Sequence, residues 1–225
     1  MIEDLQNYAN GIAANVEVIS WLNTTGKKAI EKRGATISEL EHILDFFVSG
    51  AAPNRLQKMA YVDAKRKAEE WSKRNQKKGR DLVDSKDDIE TIHKFKDGSA
   101  IVKLKTKTAL QREGFLMSHC VGGYQLSNEC QIYSYRDKKN MPHATFEVRR
   151  SGKEITQIKG KGNGAIHPNY IKPILVFLKK IGIEVRPSDM VNLGYYHIHK
   201  DHLKYLMKTK AKEQITVIGG ESYAF

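Results

Sequence analysis

Apolar positions recur with a helical period in the first third of the chain and shift to short alternating runs from residue 89 on. Leu5, Ile12, Val16, Ile19 and Leu22, with Trp21 adding bulk, predict a helix over residues 2–23. Asn23 to Gly34 reads as a break, with Gly26, a lysine pair and Gly34. Thr36 and Glu39 have the capping-box spacing, in which each side chain satisfies a first-turn backbone N–H of a second helix. Ile37, Leu40, Ile43, Leu44 and Phe47 form its apolar stripe, and Ser49 to Ala52 ends it. Pro53 suits the first turn of a third helix that runs to about Lys78 and stops at Gly79. Leu56, Met59, Ala60 and Ala64 face its core side, and Arg80 to Asp88 reads as a linker.

Two short β-like runs follow, Thr91 to Phe95 and Ala100 to Leu104, joined through Asp97-Gly98, a strong hairpin signal. Lys105 to Met117 returns to a helical pattern, with Ala109, Leu110, Leu116 and Met117 inward. Three more strands are predicted at Gln131–Arg136, His143–Arg149 and Glu154–Lys159. Their turns, Asp137–Asn140 and Ser151–Gly152, are short enough to require antiparallel neighbours, so a meander continuous with the first hairpin is expected. In the middle strand Ala144, Phe146 and Val148 share one face. Gly160 to Pro168 is a glycine-rich loop. Asn169 to Ile181 is a helix with Ile171, Ile174, Leu175 and Leu178 inward, closed by Gly182. Ile183 to Val185 adds a short strand. Tyr195 to Lys210 reads as a last polar helix carrying His197, His199 and His202, and a short tail follows from Gln214. The expected fold class is α+β, an N-terminal helical region followed by a small antiparallel sheet packed by helices. The expected divisions are a helical region over 1–80, an α+β domain over 88–185 and a C-terminal helix and tail over 186–225.

Charge narrows the partners. The formal net charge is +12, and the stretch from Lys58 to Arg80 holds nine basic and three acidic residues. A cationic helix of this kind can lie along phosphates, with Trp71 able to stack or pack; the bland alternative is a solvated helix face. Lys65, Arg66, Lys67, Lys73, Arg74, Lys77 and Lys78 are the phosphate-contact candidates on this helix. Lys159, Lys161 and Asn163 are the candidates at the glycine loop. That loop does not meet the G-x-x-x-x-G-K-[ST] pattern, so a nucleotide triphosphatase is not indicated. The two cysteines make no disulfide framework, and reduced intracellular thiols are expected. No cationic lead into an apolar run and no stretch of membrane-spanning length is visible.

The chemistry-bearing stretch is Gly114 to Tyr124, GFLMSHCVGGY, where His119 and Cys120 precede a diglycine and an aromatic. A thiolate near Arg136 and Lys159 would have a lowered pKa and act as a nucleophile, with His119 as base and Gln157 binding an amide, base edge or oxyanion. His119, Cys120, Arg136 and Gln157 are therefore the catalytic candidates. Equally, Cys is often a buried packing residue, and Gln157 and Asn163 can serve only to tie the loop to the sheet. Nine residues separate Cys120 from Cys130, against the tight pair of structural zinc sites, so no metal and no cofactor is expected.

Three runs in order carry a resemblance: EGFLMSHCVGGY (Glu113 to Tyr124), IYSYRDKKNMPHATFEV (Ile132 to Val148) and QIKGKGN (Gln157 to Asn163). Together, over about Thr108 to Gly182, they resemble the PcfJ-like family of plasmid and bacteriophage proteins. The helical first half and the region after Gly182 lie outside that likeness. The resemblance implies a phage- or plasmid-encoded protein acting in the cytoplasm of a bacterial host; nucleic acid is the partner that the charge favours, and a phage- or plasmid-encoded protein partner, with packaging in a virion, is the expectation of the structural alternative. It implies no particular reaction. The leading expectation is nucleic-acid binding. The alternatives are an enzyme centred on Cys120 and His119, and a virion or conjugation component.

Overall fold

The computed structural model describes residues 2–53, 55–126, 129–149, 154–185, 187–197, 215–218 and 221–224. The chain forms two compact units that interleave in sequence. A helical unit comprises Met1–Ser85, Thr106–Gln125 and Gly162–Gly164, and a sheet unit comprises Lys86–Lys105, Leu126–Lys161 and Ala165–Phe225. The span 88–185 is therefore shared between them.

The helical unit holds α1 (Ile2–Gly11), α2 (Val16–Trp21), α3 (Lys27–Arg33), α4 (Ile37–Val48), α5 (Tyr61–Asp81) and α6 (Lys107–Met117). Its core gathers Leu5, Val18, Trp21, Leu22, Leu40, Ile43, Leu44, Phe46 and Phe47. Trp21 meets Phe47 edge-on at 4.9 Å. The expected first helix is in fact two. The chain turns at Ala13 (φ 55°), and the Asn15 side chain caps α2 by accepting from the Val18 N–H at 3.0 Å. The expected break at Asn23–Gly34 is helical instead. Leu22–Gly26 forms a π turn that runs straight into α3, because Leu22 and Gly26 are drawn into the core. α3 ends at left-handed Gly34. The capping box of α4 is present, with Thr36 and Glu39 bonded reciprocally.

Two further corrections concern α5. It begins at Tyr61 and not at Pro53, because Arg55 is left-handed (φ 71°), Leu56–Lys58 makes a 3-10 turn and Met59 is extended. The Met59 carbonyl accepts the Trp21 indole N–H at 2.7 Å, which holds this entry in place. Gly79 does not stop the helix. A Cβ there would lie 2.8 Å from Phe115 Cβ and 3.0 Å from Leu116 Cγ, so this glycine lets α5 and α6 approach closely.

The sheet unit contains β1 (Ile89–Lys94), β2 (Ala100–Leu104), β3 (Cys130–Arg136), β4 (Pro142–Arg149), β5 (Glu154–Lys159), α7 (Pro168–Ile181) and β6 (Glu184–Val185). The strands lie in the order β1-β2-β3-β4-β5-β6. The first five are antiparallel neighbours, as the short turns require, while β6 is parallel to β5 because α7 carries the chain across between them. Ala144, Phe146 and Val148 pack with Ile155 and Ile158 against Ile171, Ile174, Phe177 and Leu178 of α7. The fold class is α+β.

The expected C-terminal helix is corrected at its start. Tyr196–His197 is a strand, β7, and it pairs with β9 (Glu221–Ala224), which in turn pairs with β8 (Ile215–Ile218). The remainder of that stretch, with His199 and His202, and the Ser151–Gly152 turn lie outside the described residues.

Candidate functional site

The stretch around Cys120 is shaped by its glycines. α6 ends at Ser118 in the left-handed conformation (φ 58°), His119 is extended, and Cys120–Gly123 forms a 3-10 turn. This turn folds back over the helix just completed. A Cβ on Gly114 would lie 2.6 Å from the Gly122 backbone nitrogen, and one on Gly122 would lie 3.4 Å from Gln111 Cα. The glycine spacing is thus what allows the chain to double back, and the doubling back delivers Cys120 to the core-facing side of α4.

There it meets Asp45, which is 1% exposed. The Cys120 N–H donates to Asp45 Oδ2 at 3.0 Å. Tyr8 Oη donates to Asp45 Oδ1 at 2.7 Å, and Asn163 Nδ2 donates to Asp45 Oδ2 at 2.8 Å. Asn163 Nδ2 also reaches Tyr8 Oη at 3.2 Å. The Cys120 Sγ lies 3.6 Å from Tyr8 Oη and 3.7 Å from Tyr124 Oη. Three segments remote from Asp45 in sequence therefore converge on its carboxyl. Asn163 sits there at φ 60°, following Gly162 at φ 61°. A left-handed asparagine held in place by two side-chain hydrogen bonds belongs to the network and not to a loose loop.

Burial raises the Asp45 pKa to about 6, against the pull of the hydrogen bonds from Tyr8, Asn163 and Cys120. Burial and the Asp45 charge push the Cys120 thiol well up, and the same two causes raise Tyr8. The expected low-pKa thiolate is not what the site provides: Cys120 is held as a thiol, and Asp45 is the group poised to exchange a proton near neutrality.

The other catalytic candidates have different surroundings. His119 is buried (6% exposed) at the head of the 3-10 turn. Arg136, buried in the sheet unit, donates through Nε to Ser134 Oγ at 3.3 Å and through its terminal nitrogen to Asn140 Oδ1 at 3.1 Å. Gln157 sits opposite Glu147, and Lys159 opposite Thr145, so the four residues share one face of β4 and β5. Glu147 Oε1 accepts from Thr156 Oγ1 at 2.6 Å. Sequence reasoning missed Asp45 and Tyr8 and took Tyr124 only as an aromatic. A signal for Asp45 existed: a single carboxylate inside the apolar run Ile43-Leu44-Asp45-Phe46-Phe47.

The basic candidates separate into engaged and open groups. On α5, Lys65 pairs with Glu39, and Arg66 pairs with Glu70 at 2.9 Å and Asp63 at 3.5 Å. Lys67 is half-buried. Lys73, Arg74, Lys77 and Lys78 are exposed and form no ion pair among the described residues. At 100° per residue they fall within about 140° of the helix circumference. They lie opposite the buried stripe of Ala64, Ala68, Ser72, Asn75 and Gly79. Lys161 is exposed and Lys159 half-buried, and both have interaction partners. Asn163, expected at the surface with them, is 4% exposed, its amide committed to Asp45 and Tyr8. Among the described residues no group of three or more His, Cys, Asp or Glu side chains is arranged to hold a metal ion. No described helix is long and apolar enough to cross a membrane.

No curated protein and no solved structure matches the chain. The PcfJ-like protein family matches residues 36–175. The match starts far earlier than the expected Thr108, at the capping residue of α4, and ends within α7, short of Gly182. It takes in Asp45, the whole of α5, the Cys120 turn and Asn163, and leaves Tyr8 outside. Spanning more than half of the sequence and including the glycine-shaped turn with Asp45, Cys120 and Asn163, that match establishes that the chain belongs to the PcfJ-like family.

Proposed function

We propose that this protein binds nucleic acid through the exposed face of α5, as a phage or plasmid product acting in a bacterial cytoplasm. The carrying observation is the group Lys73, Arg74, Lys77 and Lys78, which is exposed and has no ion pair among the described residues. A cation at the end of a helix also complements the helix dipole, which accounts for Lys78 and Arg80 in the last turn. It does not account for Lys73 and Arg74, which stand further in. Unpaired cations on two successive turns can neutralise phosphates and release counterions when they bind them. The small-residue stripe on the opposite side fixes which face is offered. Fluorescence anisotropy with labelled DNA and RNA oligonucleotides at low salt tests the proposal. The wild-type protein is expected to bind, and K73Q/R74Q/K77Q/K78Q to lose most of that affinity. Equal affinity of the two proteins would overturn it.

A second reading, an enzyme acting on nucleic acid, is favoured by one observation: a carboxyl with a pKa of about 6 bonded to the backbone of a residue whose thiol touches two phenols. In that reading Asp45 moves the proton and Cys120 is not a thiolate nucleophile. Incubation with labelled oligonucleotides, followed by product separation, tests it. Product that forms with wild type and is lost in D45N supports the reading, and the same product from D45N rejects it.

A further inference from the structure

A cleft of about 720 Å³ opens in the sheet unit, lined by the β1–β2 turn, the β3–β4 turn and the first half of α7. Its size lies within the range of small-molecule sites. Three rings line it. Phe95 and Tyr135 have centroids 5.9 Å apart, and Tyr135 and Tyr170 5.6 Å apart. Tyr170 is half-buried and is held by His143, which stacks on it at 4.0 Å and 19°. His143 is itself fixed, with Nε2 3.1 Å from Asp137 Oδ2.

The charged lining has an uneven balance. Asp97 and Asp137 are occupied by their own turns. Asp97 Oδ1 accepts from the Ser99 N–H at 2.9 Å and from Ser99 Oγ at 2.6 Å. Asp137 Oδ1 accepts from the N–H groups of Lys139 at 2.8 Å and Met141 at 3.0 Å. Lys96, Lys138, Lys139 and Lys172 also line the cleft, are exposed, and form no ion pair among the described residues. Aromatic faces alone would serve any flat apolar ligand, and lysines alone any anion. Their combination selects a planar π system that carries negative charge. Bases stacked in a duplex have no free face to offer, so the ligand is a free nucleotide or a nucleotide of a single strand.

We propose that this cleft binds a nucleoside phosphate, the base against Tyr170 and Phe95 and the phosphate among the four lysines. The site stands independently of the α5 face. Calorimetric titration of the full chain with adenosine monophosphate, adenosine, ribose 5-phosphate and a short oligodeoxyadenylate tests it. Saturable binding of adenosine monophosphate is expected, with adenosine and ribose 5-phosphate each about tenfold weaker or worse. Y170A and K138Q/K139Q/K172Q should each weaken adenosine monophosphate about tenfold. K73Q/R74Q/K77Q/K78Q should leave it unchanged, which separates this site from α5. In the K73Q/R74Q/K77Q/K78Q background, which removes the α5 face, an oligomer that binds more tightly than the monomer assigns the site to single strands, and one that does not assigns it to free nucleotides. The proposal is overturned by the absence of saturable binding of both. It is also overturned by unchanged binding in the triple lysine variant, whose substitutions are all at exposed positions and leave the fold intact.

Discussion

Asp45 in the helical unit and Asp137 in the sheet unit each have three polar partners, and the partners differ in kind. Those of Asp45 come from residues 8, 120 and 163, and those of Asp137 from residues 139, 141 and 143. Asp137 is half-buried and closes a local turn. Asp45 is buried, and three remote segments depend on it. The local network occupies an acid at the surface and so leaves the neighbouring lysines without competition. The long-range network turns its polar groups inward, suppresses the thiol and fixes the geometry of the helical unit. A polar cluster with catalytic-looking residues thus ties remote parts of the helical unit together, while the turns of the sheet unit and one face of α5 leave their lysines exposed.

The largest effect is expected where the tie depends on backbone contact. In G114A the new Cβ meets the Gly122 nitrogen at 2.6 Å, so the turn that delivers Cys120 must move. A loss of about 4 kcal/mol in denaturant unfolding is expected. A loss within the range of ordinary surface substitutions would show that the turn is not rigidly packed on α6.

Removing the carboxyl comes next. D45A leaves the Tyr8 hydroxyl, the Asn163 amide and the Cys120 N–H without their acceptor and is expected to cost about 3 kcal/mol. The corresponding truncation at the half-buried turn, D137A, should cost about 1 kcal/mol. Equal costs would erase the distinction between the two networks.

The pH dependence sharpens the same contrast. Asp45 has a folded pKa of about 6, raised from 3.8. Its contribution is therefore fully present below the unfolded value and is lost as pH rises through the folded one. Across that window the loss amounts to about 3 kcal/mol and then levels off. D45N cannot ionise, so the stability difference between wild type and D45N should change over that window and be flat above it. A flat difference throughout would contradict the assignment. The smallest effect concerns the thiol. Because burial and Asp45 raise its pKa, Cys120 should react with a thiol reagent at neutral pH about tenfold or more slowly in the native than in the unfolded protein.

Much of this was readable from local pattern. The capping box at Thr36, the Asp97-Gly98 hairpin, the alternation in β4 and the helix-closing Gly182 are each set by neighbours in the sequence, and each stands where its residues place it. Gly79 and Gly26 misled because a glycine signals a helix end locally but permits close packing when tertiary contact demands it. The strand at Tyr196–His197 was invisible for a related reason, since its partner β9 lies at the other end of the described tail. Within the candidate site, Cys120 and Asn163 could be picked out by residue type. Their meeting on Asp45 could not, because no local rule joins residues 8, 45, 120 and 163.

The claim that α5 is the working surface is tested most directly by measuring affinity for a labelled DNA duplex across a range of salt concentrations. For wild type, log affinity should fall steeply and linearly with log salt. In K73Q/R74Q/K77Q/K78Q the slope should be shallower by about 3 to 4, in line with four lost phosphate contacts. The melting temperature should fall by no more than the loss of one helix-end cation, Lys78, would cause, because all four side chains are exposed and without ion pairs among the described residues. Parallel lines of equal slope for the two proteins, or no binding at the lowest salt, would contradict it.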